Sequence, residues 1–199
     1  TRKNAPVLAQ LGQVFDLRPQ DGAVGITGVL HNGRVILVGD TLVHEWPEPE
    51  DLADIATHGA AVARGLGLEP RVAFLSFSNF GYPISERAVK MAKATEVLDR
   101  RGVDFEYEGE MTVDVALNAE SAARYPFSRL SGPANVLVVP ARHSASISVK
   151  LLQEMAGATV IGPILTGVPK SIQICSTTST VNDILNMAAI AAGGLGRGR

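Results

Sequence analysis

The chain has 199 residues, 46% of them hydrophobic and 19% charged, with a formal net charge of −2. That length buries a substantial core as one domain or two small lobes, and the balance suits a soluble α/β protein. The absence of a basic block argues against nucleic acid, the absence of a long apolar run or leader against a membrane, and the single Cys175 against a disulfide or cysteine-rich zinc site, which leaves a reducing, cytoplasmic location.

Residues 1–6 read as the interior of a longer polypeptide, so the chain is expected to be a C-terminal portion, with 193–199 a flexible glycine-rich tail. A short apolar helix is expected over Pro6–Asp16. Val24, Ile26, Gly28 and Leu30 alternate, Asn32-Gly33 follows, and Val35–Val38 is apolar, which predicts a β-hairpin. The prolines and acids of Trp46–Glu50 suit a helix start. Leu52, Ile55, Ala56, Val62, Ala63 and Leu66 then repeat at helical spacing, with Gly65 and Gly67 as the stop.

Arg71–Phe77 is a strand apolar on both faces and empties into Ser78–Pro83. A helix is expected over Ser85–Arg101, with Ala88, Met91, Ala92, Thr95 and Leu98 inward. A strand is expected over Val103–Tyr107, ending at Glu108-Gly109-Glu110, and weak helix over Asp114–Arg124. Asn135–Val139 is a buried strand, and Ile147, Leu151, Leu152 and Met155 mark the helix after it. From Thr159 the pattern predicts a short strand, a Gly/Pro segment, a second strand at Ser171–Cys175, a polar turn at Ser176–Thr180 and a helix over Val181–Ala192. This order predicts an α/β fold with a mostly parallel sheet and helices on both faces.

Ligands collect where strands give way to helices, and three such exits are polar: Ser76–Gly81, Pro140–Ser146 and Cys175–Thr180. The turn before the last helix could hold an anion on its unpaired N–H groups. Equally, Thr180 and Asp183 have the spacing of a capping box. No phosphate loop, dinucleotide fingerprint or nucleophile elbow is present, and the four histidines lack metal-site spacing, so no metal is expected. His31 belongs to the hairpin tip and His58 to a helix surface. His143, beside Arg142 at a strand exit, could meet a phosphate or simply be a solvated helix start. Cys175 reads as buried filler.

The segments Arg71–Ser78, Glu108–Met111, Asp114–Leu117, Ala134–Leu137, Gly162–Gly167, Lys170 and Asp183–Asn186, in that order, resemble the phosphate acetyl/butyryltransferase family. Ser78–Gly81 and Asn186–Ala189 look like one branch, the transferase-like C-terminal region of bacterial NADP-dependent malic enzymes. The resemblance implies a three-layer α/β/α fold like that of isocitrate and isopropylmalate dehydrogenases, with 1–192 the later part of a two-lobed unit. It also implies homo-oligomers joined through that unit, and acetyl-CoA or a related acyl-CoA as effector. No cofactor is expected on this portion. NADP and a divalent metal belong to an upstream malic enzyme region that oxidatively decarboxylates malate to pyruvate.

The resemblance places Ser176 and Asp183 at catalytic positions. The family aspartate deprotonates the CoA thiol, while its serine and an adjacent arginine hold the oxyanion. Here Thr177 stands at the arginine's position, so both catalytic positions are expected to be vestigial. Ala141, His143 and Ser146 likewise replace polar family residues. Candidate contacts for the acyl-CoA or its phosphates are Ser78, Asn79, Arg142, His143, Lys170 and Thr177. The expected function is thus non-catalytic acyl-CoA sensing and assembly. The alternatives are a working phosphate acetyltransferase and a purely structural module.

Overall fold

Side-chain alternation along the strands decides how the layers stack. The structure, a computed structural model, describes residues 22–168 and 170–195. Strands β1 (Val24–His31) and β2 (Arg34–Gly39) form the expected hairpin, with Asn32 and Gly33 at positive φ in the turn. Helix α1 (Pro49–Gly65) leads to β3 (Arg71–Leu75), and α2 (Glu86–Arg101) to β4 (Glu106–Met111). Two short helices, α3 (Val113–Leu117) and α4 (Ala119–Ala122), precede β5 (Val136–Val138). Helix α5 (Arg142–Ala156), β6 (Thr159–Thr166) and α6 (Val181–Ala192) complete the chain.

The sheet order is β4-β3-β5-β2-β1-β6. The four strands from β4 to β2 run parallel, and β1 lies antiparallel between β2 and β6. Val72, Phe74, Val136 and Val138 point into one core with α1 and α2. Their neighbours Ala73, Leu75, Leu137 and Val139 point into a second core with α3 and α5. The period of two along each strand therefore yields the three-layer α/β/α arrangement. Against the first core, Gly59 of α1 sits so close to Val136 that a Cβ would lie 2.6 Å from its Cγ1.

Three expectations need correction. The strand expected over Val103–Tyr107 begins later and continues through Glu108-Gly109-Glu110. Its acids are not a terminus: Glu110 is only 1% exposed, and Glu108 is also buried, with Arg129 donating to it. Gly109, at φ +153, lies where a Cβ would meet Phe74 at 2.7 Å, so β4 approaches β3 more closely than another residue allows. Weak helix over Asp114–Arg124 becomes α3 and α4, divided at Asn118, whose side chain caps the second.

The third correction is at Ser171–Cys175, which is not a strand. Gln173 spans the gap with its side-chain amide, accepting from Leu165 N at 2.8 Å and donating to Leu165 O at 3.1 Å. One amide thus satisfies both backbone groups of Leu165 on the open edge of β6, where a ladder would otherwise pair them. The expected helix at Pro6–Asp16 lies outside the described residues, as does 196–199 of the expected tail. Leu195 of that tail packs against the first core and α1.

Candidate functional site

At the carboxyl edge of the sheet, the exits of β3 and β5 meet in a cleft of about 670 Å³. Ser76 and Phe77 form one side and Pro140 and Ala141 the other, with Arg87 and Lys90 contributed by α2. Two of the three polar exits therefore converge, as the parallel topology requires. The third does not join them: Ser176, Thr178, Ser179 and Asp183 line a separate depression of about 280 Å³ against Ile161–Pro163.

Ser78 and Asn79, expected as ligand contacts, belong to the first exit, where the Ser78 hydroxyl and the Asn79 side-chain oxygen bond within the protein. Ser78 is fully buried and donates to Glu110 Oε1 at 3.0 Å. The same oxygen accepts the Gly81 N–H at 2.7 Å. Asn79 Oδ1 accepts from Thr112 N and Oγ1 at 2.8 and 3.1 Å. Both residues fasten the β3 exit to the end of β4.

A loop over 40–48 walls the cleft, and its organising group is Asp40, 3% exposed. Its carboxylate accepts N–H bonds from Gly25 (3.0 Å), Leu42 (2.7 Å), Val43 (3.1 Å) and His44 (2.8 Å), and contacts the His44 ring at Nδ1 (2.8 Å). That side-chain hydrogen bond raises the His44 pKa against the opposing effect of burial, assisted by the charges of Asp40, Asp51 and Asp54. Sequence reasoning passed over Asp40 and weighed His44 only as a metal ligand, among the four histidines. The only signal was their i,i+4 spacing just after a strand.

The loop grips α5. Arg142 donates to Leu42 O at 3.2 Å and pairs with Glu45 at 3.4 Å, so its guanidinium is already engaged. His143 lines the cleft, with its ring 5.4 Å from that of Trp46 and Nε2 4.0 Å from Glu45. On α2, Arg87 lies 5.5 Å over the Trp46 ring, and Lys90 pairs with Glu48 at 2.8 Å. Arg87 and Lys90 were not singled out in the sequence, because only tertiary packing brings α2 to the exits.

In the closing turn, Ser176 Oγ lies 2.9 Å from Thr178 Oγ1, and Thr177 is exposed. Asp183 and Thr180 form the capping box: Thr180 N donates to Asp183 Oδ2 at 2.8 Å, and Asp183 N to Thr180 Oγ1 at 3.2 Å. The Thr180 backbone N–H, then its hydroxyl, hold the Asp183 pKa below the usual carboxylate value. Its carboxylate is therefore a weaker proton acceptor than an unconstrained one. Lys170 is exposed five residues ahead of the 175–180 stretch and lines neither depression.

Two further readings change. Cys175 is exposed, not buried, because the segment carrying it is held to β6 by Gln173 and leaves its own backbone outside the sheet. His58 is half-buried against Thr166 Oγ1 at 3.2 Å, and burial lowers its pKa. Among the described residues, no group of three or more His, Cys, Asp or Glu side chains is arranged to hold a metal, and no helix is long and apolar enough to cross a membrane.

Comparison with known proteins agrees with this geometry. The profile of the family described as phosphate acetyl/butaryl transferase matches residues 2–192. The NADP-dependent malic enzyme of Rhizobium meliloti is 52% identical over 192 residues, covering 96% of this chain and 25% of that protein. The phosphate acetyltransferase of Clostridium acetobutylicum is 39% identical over 190 residues, covering 94% of this chain and 55% of that one. A solved phosphotransacetylase from Streptococcus pyogenes superposes with a TM-score of 0.82 at 30% identity, over 87% of this chain and 54% of the other. The chain thus spans about a quarter of the malic enzyme and about half of the two transferases.

Proposed function

The chain belongs to the phosphate acetyl/butaryl transferase family, and within it we propose a non-catalytic acyl-CoA-sensing and assembly portion of a cytoplasmic, bacterial NADP-dependent malic enzyme. The observation that carries this reading is the closing turn. Where the family resemblance calls for an arginine beside the reactive carbonyl, Thr177 offers a neutral hydroxyl. A hydroxyl supplies neither fixed charge nor a bidentate clamp. Removing one oxyanion donor typically costs about 2.7–4 kcal/mol of transition-state stabilisation. Asp183, the residue at the base position, is tied into its helix cap with a lowered pKa. Ser176 is left bonded to Thr178.

Sensing falls to the strand-exit cleft, whose walls combine apolar surface with basic side chains. Acetyl-CoA is the effector of this reading, and Arg142 would reach it only by exchanging its Glu45 contact. NADP, the divalent metal and the oxidation of malate to pyruvate belong to the upstream region. Assembly is supported by apolar stripes left in solvent. On α5, Ile147, Leu151 and Met155 recur every four residues and are exposed, while Ala145 and Val149 take the core positions. On α6, Val181, Ile184 and Leu185 form a second exposed stripe. Such faces suit contact between copies. Acetyl-CoA would act by binding two arrangements of the assembly unequally.

The test is malate-dependent NADP reduction by the full-length polypeptide, measured with and without acetyl-CoA. A saturable change in rate is expected. An unchanged rate together with no calorimetric acetyl-CoA binding would overturn the sensor reading.

A further inference from the structure

We infer that residues 40–48 form a proton-operated strap: an imidazolium at His44 bridges Asp40 to Asp51 of α1 and holds the crest of the strap, 43–46, down, whereas a neutral ring bonds Asp40 alone and lets the crest lift. Nothing in this device depends on the sensor reading above. The strap joins the end of β2 to the start of α1, and its two halves are held by different means.

The near half closes around one carboxylate. Asp40, buried, accepts the N–H groups of Leu42, Val43 and His44 and, from β1, that of Gly25. The His44 ring lies between this carboxylate and α1: Nδ1 is 2.8 Å from Asp40 Oδ2, and Nε2 is 3.9 Å from Asp51 Oδ1. An imidazolium presents an N–H to each acid, while a neutral ring has one N–H and serves only one of them. The protonated ring is therefore the form that fits both neighbours. Asp54, further along α1, adds a third negative charge. The Asp40 hydrogen bond, and then the charges of Asp40, Asp51 and Asp54, raise the His44 pKa against burial. The bridge is thus complete below the folded pKa and is lost as pH rises through it.

The far half has weaker polar fastenings. Pro47 is buried and fixes the strap just before α1, so the stretch able to lift is the one between His44 and Trp46. There Glu45 faces Arg142 and His143 of α5 at 3.4 and 4.0 Å, and Trp46 lies beneath Arg87 of α2. Glu48 pairs with Lys90, also on α2. Glu45, Trp46 and Glu48 are each more than half exposed, so these contacts are solvated and hold the crest only loosely. Of the residue types engaged here, histidine alone titrates near neutrality. His143 and Glu45 are both more than half exposed, which leaves the partly buried His44 ring as the switch. Because the strap walls the strand-exit cleft, lifting its crest widens the mouth of that cleft.

The experiment is hydrogen exchange of the full-length polypeptide, read by mass spectrometry on the peptide holding the Val43 and His44 amides. It runs from about pH 5.5 to about pH 8, roughly one unit or more either side of an ordinary imidazole, with the intrinsic pH dependence of exchange divided out. The corrected rate should rise about three- to tenfold, the step from a charge-assisted to a neutral contact. A peptide over Arg71–Leu75 of β3 should not change. His44→Gln, which still offers Asp40 an N–H, should abolish the rise, and His143→Gln should leave it in place. Asp51→Asn keeps an acceptor for the Glu48 N–H, and should move the midpoint of the rise to lower pH because it removes a charge that favours the imidazolium. That midpoint decides the matter even if His44→Gln does not fold. A flat wild-type profile, a rise that survives in His44→Gln or is lost in His143→Gln, or an unmoved midpoint in Asp51→Asn would overturn the strap. So would an equal rise in the β3 peptide, since the whole domain would then be loosening.

Discussion

Replacing Asp40 with alanine is the most informative perturbation of the cleft wall. The carboxylate accepts from four backbone N–H groups, and two of those bonds, from Gly25 and Leu42, are buried. A buried donor stripped of its acceptor costs about 1–3 kcal/mol, so those two alone place the loss at about 2–6 kcal/mol. The Val43 and His44 donors are only partly buried and can turn to water, so they add less. Against a typical domain stability of about 5–15 kcal/mol, the upper half of that range leaves little folded protein. The assay is urea unfolding followed by far-UV circular dichroism and by the fluorescence of Trp46, the single tryptophan, which lies in the same wall. Asp40→Asn should lie between alanine and wild type, because its amide keeps one acceptor oxygen. A loss below about 1 kcal/mol for Asp40→Ala would refute the view that this carboxylate organises the loop, since it is less than the lower figure for two orphaned donors.

Other outcomes follow from neighbouring contacts. His44 has a folded pKa raised above its ordinary value of 6.5, so its contribution is full below that value and is lost as pH rises through the folded pKa. The stability difference between wild type and His44→Gln should therefore shrink on going from pH 5.5 to pH 8, about one unit or more either side of that ordinary value; a difference that grows would contradict the Asp40 pairing. His58, lowered by burial, acts in the opposite sense in both proteins and cancels in that comparison. Gly59→Ala forces a methyl against Val136, and overpacking of about 1–3 kcal/mol should outweigh the roughly 1 kcal/mol of helix propensity gained, so thermal unfolding should fall. A rise would show that the α1–β5 contact yields easily. Leu151→Asp, on the exposed stripe of α5, should reduce the assembly size in sedimentation while leaving circular dichroism intact. An unchanged sedimentation coefficient would remove that face from the assembly.

Periodic elements were legible in the sequence because their signals are local. Alternation over Val24–Leu30, the Asn32-Gly33 turn, and the helical repeats after Pro49 and Ser85 each lie within a few consecutive residues. Where a tertiary partner replaced a local one, reading failed. Glu108 and Glu110 read as a strand end because their partners, Arg129 and Ser78, are distant in sequence. Ser171–Cys175 read as a strand because one glutamine amide occupying an edge leaves no periodic trace. For the site, Thr177 was legible from the resemblance, and the capping role of Asp183 from spacing alone. Arg87, Lys90 and Phe77 were not, since a cleft built from α2 and two strand exits exists only after the sheet has formed. Ile147, Leu151 and Met155 correctly marked α5, but spacing alone did not show that their face is turned away from the core.

The most direct test is formation of acetyl phosphate from acetyl-CoA and inorganic phosphate by the full-length polypeptide, with free CoA thiol as the readout. With Thr177 in place of the cation and Asp183 held in its cap, no turnover above the uncatalysed background is expected. Turnover at the rate of a working phosphate acetyltransferase, under the same conditions, would contradict it.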